Sequence, residues 1–339
     1  MISLYRWQAG QSHGNWVELP DLPKDGCHIP DGEVWWLDLD DPSEEEEDLV
    51  FKSFLPVHPL SLEDIRRPKR EGESQPHLPK VEQFTDYLFA IANPIRPVTP
   101  GSGPDRTDQP CELSQLSAIL TERVLITHHY QLLPSVTDAK QFLHRHAGEG
   151  GRGPDYLFHL VLDRIVDEFA PQVDHIQDRL DEIEMEVFAT ASQELILELI
   201  RTKRRVISLR KTLILMREML ARLTRGEFDL VDAREIAYYR NVYDHLVRYT
   251  ELIDGAREMV SDLMQTHLAA TSNKLNAIMK MLAMVSTIIL PMSLIASIYG
   301  MNFENLPEKE WKYGYPFSLG LMAFVAVIAV WIFRRKKWL

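Results

Sequence analysis

Cysteine is nearly absent from the sequence. Cys27 and Cys111 are the only two among 339 residues, and neither belongs to a CxxC pair. A disulfide scaffold is excluded, a thiolate zinc site has no support, and the scarcity fits a reducing compartment. Positive charge is short as well. Lys and Arg number 37 against 50 Asp and Glu, a formal net charge of −13. Phosphate contacts need clustered Lys and Arg, so no nucleic-acid partner is expected. Glycine is sparse, at 16 residues, and forms neither a Walker loop nor a Rossmann pattern. An HExxH motif and a Ser-His-Asp cue are missing too, so no enzyme is expected. The one glycine-rich run, GEGGRG at 148–153, opens no βαβ unit and reads as a linker. The histidines offer no ready metal set: His128 and His129 adjoin in a strand and point to opposite faces. His144 and His146 diverge on a helix.

Charge of either sign vanishes from residues 281–301 and 313–333. Within these stretches lie MLAMVSTIILPMSLIASIY at 281–299 and FSLGLMAFVAVIAVWIF at 317–333. A bilayer core takes about 20 helical residues, and about 17 is the short limit, so both are expected to span a membrane. The alternative is a pair of buried core helices, but those carry polar residues every turn or two. Pro291 also suits a membrane helix, where neighbours re-satisfy the freed carbonyl. Arg334, Arg335, Lys336 and Lys337 follow the second span; Lys274 and Lys280 precede the first. Basic residues mark the cytoplasmic surface, so both termini are expected inside a multi-pass protein of the cytoplasmic membrane. Trp311, Tyr313, Tyr315 and Trp338 sit where interfacial aromatics belong. The opening MISLYRWQAG lacks the apolar core of a secretory leader.

The rest of the chain is acidic; only Glu304, Glu308 and Glu310 of the 50 acids lie beyond residue 280. Residues 1–150 read as a cytoplasmic α+β domain, with strand candidates at 33–39, 81–92 and 114–129. Ser43 and the glutamates at 44–47 read as a helix start with a solvated acidic face. Residues 151–280 read as a stalk of long helices. Apolar or small residues at Val242, Leu246, Tyr249, Ile253, Ala256, Val260, Leu263, His267 and Ala270 alternate steps of four and three, a heptad seam. A single helix from 232 to 299 is expected, about 100 Å long. The same alternation continues through Asn276, Met279, Ala283, Ser286, Leu290, Ser293, Ser297 and Gly300. One face of an apolar helix thus carries small and polar groups. That face serves either close helix packing or a water-filled path. Two spans enclose no conduit, so a pore requires several subunits around an axis.

The run Tyr299-Gly300-Met301-Asn302, after the first of two C-terminal spans, resembles the signature of the CorA family of divalent-cation channels. The approach to that span, SNKLNAIMK at 272–280, is similar to the family's. So are Pro291, WKYGYP at 311–316, KKWL at 336–339, HPLSLEDI at 58–65 and Tyr243-Asp244-His245. The resemblance covers most of the chain and is weakest before about residue 30. It implies a funnel-shaped homopentamer, with a first pore-lining span at 281–299 and an external loop at 300–316. The second span at 317–333 and a basic tail at 334–339 complete the plan. It further implies a selectivity ring of Gly300, Met301 and Asn302 and a hydrophobic constriction at Met279, Leu282 and Leu290. Glu304, Glu308 and Glu310 would attract cations. The ring would hold hydrated Mg²⁺ by uncharged oxygens, without stripping its water. Passive Mg²⁺ influx is the implied activity, with Co²⁺ or Ni²⁺ as further ions and internal Mg²⁺ as regulator. The chain has Gln265 where some members carry a regulatory aspartate, which turns attention to Asp163, Asp167, Asp174, Asp178 and Asp181 as metal ligands. A zinc carrier of the ZntB branch shares this architecture, and a membrane-anchored sensor or scaffold is the reading from a different class.

Overall fold

The residues of Glu33–Asp40 (EVWWLDLD) are buried along the whole strand except Asp40. A strand so apolar on both sides must be covered on both faces. It forms β3, an interior strand of a seven-stranded sheet. We describe a computed structural model of the chain, which covers all residues except 9–16, 20–28, 68–75, 97–111, 190–192, 302–310 and 339. Cys27 and Cys111 lie outside the described residues.

The other strands are β1 (Ile2–Gln8), β2 (Val17–Leu19), β4 (Lys80–Gln83), β5 (Leu88–Ala92), β6 (Leu116–Leu120) and β7 (Val124–His129). Their order across the sheet is β2-β1-β3-β7-β6-β5-β4. Only β3 and β7 pair in parallel, with Leu37 opposite Ile126 and Leu39 opposite His128; the other pairs are antiparallel. On one face Trp35, Leu37, Leu39, Val124 and Ile126 share a core with Val50, Phe51, Phe54 and Ile65. Val50, Phe51 and Phe54 come from the wide helical turn Leu49–Phe54 that follows α1 (Glu44–Asp48), and Ile65 comes from α2 (Pro59–Arg66). Ser43 starts α1 through a capping box: its hydroxyl accepts from Glu46 N, and the Glu46 carboxylate accepts from Ser43 N.

The opposite face is covered by α3 (Pro134–Arg145) and α4 (Pro154–Asp167), the latter packed on β3, β6 and β7. The first turn of α3 has no side-chain cap of its own. Glu168, 33 residues on, accepts from Ser135 N at 3.0 Å and supplies it. Residues 168–169 form a turn, so α5 (Ala170–Ala189) is separate from α4. Then come α6 (Gln193–Thr224), α7 (Ile236–Tyr299) and α8 (Gly314–Arg335). At 64 residues, α7 is about 100 Å long. It begins four residues later than expected, because residues 232–235 form turns.

Contacts group the chain into two compact units. Met1–Glu186 and Ser192–Met264 form one; Val187–Ala191 and Gln265–Leu339 form the other. In the first unit the glycine-rich run at 148–153 does more than link. It folds into a tight turn whose Arg152 guanidinium lies 4.1 Å from the Tyr156 ring centroid and 4.3 Å from that of Tyr238. Arg152 donates to both carboxylate oxygens of Glu235, at 3.2 and 2.7 Å. The turn is thereby clamped to the start of α7. Gly151 has a steric reason as well: a Cβ there would stand 2.3 Å from the Trp7 ring.

Candidate ion pathway and metal site

The heptad seam of α7 is buried at every position from Val242 to His267. Beyond it the stripe emerges. Asn276, Met279, Ala283, Ser286, Leu290, Ser293, Ser297 and Gly300 are all exposed, as is Leu282 beside them. A different stripe of α7 is partly covered in the same stretch: Lys280, Met284, Ile288, Pro291, Met292, Ile295 and Tyr299. On α8 the covered residues are Gly314, Ser318, Ala329 and Phe333. These two rows form the seam between the apolar helices, and at 3.6 residues per turn the exposed stripe lies on the far side of α7 from it. Within one chain, small and polar groups of that stripe do not serve packing against α8.

The stripe is locally well defined. Pro291 has no N–H, so the Thr287 carbonyl loses its helical donor. Thr287 in turn donates its hydroxyl to the Ala283 carbonyl at 2.7 Å. At the upper end Gly300 N donates to Ala296 O at 2.9 Å and Met301 N to Ile298 O at 3.3 Å. A Cβ on residue 300 would lie 3.1 Å from the Ala296 oxygen, so a side chain there would crowd the helix end. Met301 is exposed. Asn302, Glu304, Glu308 and Glu310 lie outside the described residues.

The basic residues collect at the other end of the helix pair. Lys274, Arg334, Arg335, Lys336 and Lys337 are exposed. The Lys280 ammonium lies 5.9 Å from the Trp338 ring centroid, which puts the start of the first span level with the end of the second.

Of the five aspartates considered as metal ligands, the structure brings two together. Asp163 and Asp167, one turn apart on α4, converge with His245 of α7, and their ligand atoms lie within 4.8 Å of one another. His245 Nδ1 stands 3.8 Å from Asp167 Oδ1. That nitrogen is buried and has no hydrogen-bond partner among the described residues. Burial, then the neighbouring charge of Asp167, holds the Asp163 carboxyl above its ordinary range. Two carboxylates and an imidazole suit a divalent ion. Asp174, Asp178 and Asp181 are exposed on α5 and take no part in the cluster.

Two buried polar networks went unseen in the sequence. The glutamates at 44–47 were expected to form a solvated face, and Glu44 and Glu45 do; Glu47, however, is 2% exposed. Its carboxylate accepts from Tyr130 Oη at 2.6 Å and Arg66 Nε at 2.7 Å, and lies 3.1 Å from His128 Nε2. On the other face of the sheet Asp38 meets Lys140 Nζ at 2.6 Å and His129 Nε2 at 3.3 Å. His128 and His129 do point apart, each to its own carboxylate. No local signal marks these pairs, because the partners come from distant elements. Both brace the sheet and stand apart from the acidic cluster.

An α+β body, one helix long enough to run from that body through a bilayer, and a second apolar helix define a membrane protein with two C-terminal spans. Residues 31–335 match the family model described as CorA-like Mg2+ transporter protein, and the chain belongs to that family, whose members are ion transporters rather than enzymes. It is 33% identical over 287 residues to the cobalt/magnesium transport protein CorA of Thermotoga maritima, covering 84% of this chain and 78% of that protein. It is 30% identical over 321 residues to the putative metal ion transporter YfjQ of Bacillus subtilis, 94% of each. Among solved structures, the complete CorA magnesium transporter of Methanocaldococcus jannaschii superposes with a TM-score of 0.79 at 22% identity. That match covers 99% of this chain and 98% of that one.

Proposed function

We propose that the protein is a CorA-type channel of the cytoplasmic membrane that lets Mg²⁺ enter down its electrochemical gradient, with Co²⁺ and Ni²⁺ as secondary ions. Both termini lie inside. The observation that carries this reading is the uncovered stripe of α7, opposite the α8 seam and ending at Gly300. Five copies arranged with those stripes inward enclose a path lined by Asn276, Met279, Ala283, Ser286, Leu290, Ser293 and Ser297. Met279, Leu282 and Leu290 form a constriction that closes by dewetting. At the outer mouth, Gly300 carbonyls and Asn302 amide oxygens accept hydrogen bonds from the water shell of the ion. Uncharged oxygens hold a hydrated dication loosely enough for it to leave. Glu304, Glu308 and Glu310 raise the cation concentration there. An inside-negative potential contributes roughly 2.3 kcal/mol per charge per 100 mV, doubled for a dication.

Internal Mg²⁺ closes the channel by binding at Asp163, Asp167 and His245, which join α4 to the pore helix itself. The body's acids repel one another, and a bound dication relieves that repulsion where α4 meets α7.

The test is ion flux into liposomes with a panel of Mg²⁺, Co²⁺, Ni²⁺ and Zn²⁺. Mg²⁺ flux is expected, and Asn302→Ala should lose selectivity. A variant that keeps full selective Mg²⁺ flux overturns the filter. Zinc flux that exceeds magnesium flux and needs a proton gradient favours the zinc branch.

A further inference from the structure

The residues after α8 do not trail away; they fold back in a defined motif. Lys337 has φ of +54°, the left-handed conformation that closes a helix. Trp338 N donates to Phe333 O at 2.8 Å and Lys337 N to Arg334 O at 3.1 Å. This is the six-to-one and five-to-two pairing of a Schellman cap, here with lysine at the position that usually takes glycine. The apolar contact that accompanies such a cap is present too: the Trp338 and Phe333 rings are parallel, 1° between planes, with centroids 5.9 Å apart.

The cap places the indole beside α7, with Lys280 Nζ 5.9 Å from the ring centroid. That distance is within reach of a cation–π contact. Lys280 is the only residue from 272 to 283 that is not fully exposed. It heads the row of α7 that faces α8, and its neighbour Met279 belongs to the opposite, pore-side row. A contact that holds Lys280 therefore fixes the rotation of α7 at the level of Met279 and Ala283. A helix turned by one residue moves a side chain by about 100° around the axis, enough to swap an apolar group in a constriction for another.

We propose that Trp338, folded back on Phe333, is a latch on Lys280 that sets the rotation of the pore helix at its inner end and so the width of the constriction at Met279. The proposal rests on the channel reading above. Trp338 is a positioning residue: it acts through Lys280 and touches no ion.

Two readouts test it. The first is Mg²⁺ flux in liposomes at low and high internal Mg²⁺. Trp338→Ala and Lys280→Gln are each expected to leak at high internal Mg²⁺ by severalfold over the parent. Trp338→Phe, Lys280→Arg and Lys337→Gly, which keep the ring, the charge and the cap, should close like the parent. The Mg²⁺ preference, set at the outer mouth, should not change. The second readout needs no transport. Met279→Cys, in a chain with Cys27 and Cys111 replaced by Ala, is labelled with a water-soluble thiol reagent in detergent. Its rate should change severalfold on adding Trp338→Ala and stay unchanged with Trp338→Phe. An unchanged labelling rate in the Trp338→Ala background overturns the latch, as does wild-type closure in that variant. Absent flux in the parent with an altered labelling rate would leave the latch standing and sink the channel reading instead.

Discussion

Asp38 is almost completely buried, between β7 and α3, with His129 and Lys140 as partners. Burial alone would raise its pKa. The hydrogen bond and charge of His129, then Lys140, overcome that and bring it down to about 2. His129 is raised in turn: burial opposes its charged form, but Asp38 and then Asp40 outweigh burial. The signs set a pH window. The depressed Asp38 contributes stability above the unfolded carboxylate value, lost as pH falls toward about 2. The raised His129 contributes stability that is complete below about 6.5 and lost as pH rises through its folded value. Tyr5 and Lys140 share the site, and the Lys140 ammonium is held above its ordinary value by Asp38 despite its burial. Thermal unfolding of the full chain in detergent is thus expected to weaken from pH 6 to pH 9. His129→Gln should flatten that slope and cost about 1–3 kcal/mol at pH 6, less than a lone buried charge because Lys140 still neutralises Asp38. A variant with the parent's slope would show that another group governs the alkaline side. None of this is written locally in the sequence. The aspartate at 38 sits in an apolar strand, which signals burial, but its partners lie 91 and 102 residues away in β7 and α3.

Among the elements, α7 was the most legible. The four-three alternation needs no knowledge of the partner helices. A stripe with that period must be covered along its length, and it is buried from Val242 to His267, with Ala270 half-buried. The change from burial to exposure past that point was legible only as a change in chemistry, from leucine and valine to serine and asparagine. Boundaries were less legible: the break between α4 and α5 falls at residues 168–169, ahead of Pro171, where proline alone would not put it. The Arg152 clamp was hidden altogether, because a glycine-rich run looks the same whether it links or packs. Two predictions belong at this scale. Leu290 is 71% exposed within the chain, so Leu290→Asn removes no contact made by one copy. If the stripe lines a pore, the variant should fold and assemble normally yet conduct at high internal Mg²⁺, because an amide wets a constriction that leucine keeps dry. Poor membrane insertion without any leak would place residue 290 against lipid. Arg152→Lys keeps the charge but loses the bidentate grip on Glu235 and the guanidinium contacts with the rings of Tyr156 and Tyr238. A loss of about 1–2 kcal/mol is expected. A double-mutant cycle with Glu235→Gln should show coupling; additive losses would mean the clamp is not a unit.

For the whole molecule, acidity and divalent ions belong together. A body with so large an excess of carboxylates loses stability to its own repulsion unless cations offset it. The Asp163, Asp167 and His245 cluster stands between α4, buried against the sheet, and α7, which continues as the first membrane span, and under the proposed function it would hold one such cation. On the proposed function, a change of occupancy there would reach the membrane segment through a single unbroken helix, with no separate linkage needed. Removing Mg²⁺ with a chelator should speed amide hydrogen exchange in residues 160–167 and 241–248 of the assembled protein, while the sheet strands stay protected. Restoring Mg²⁺ should reverse the change. Asp163→Asn with Asp167→Asn should make exchange there insensitive to the chelator and lower the sensitivity of flux to internal Mg²⁺ by about tenfold, the effect of roughly 1.4 kcal/mol in binding. Native mass spectrometry of the same samples gives the number of chains. Pentamers that persist through chelation, with faster exchange confined to those two segments, fit a local ion that biases an intact assembly. Exchange that rises equally along the whole of α7 would instead mean that the ion acts on the general charge of the body, and the cluster would lose its assigned role.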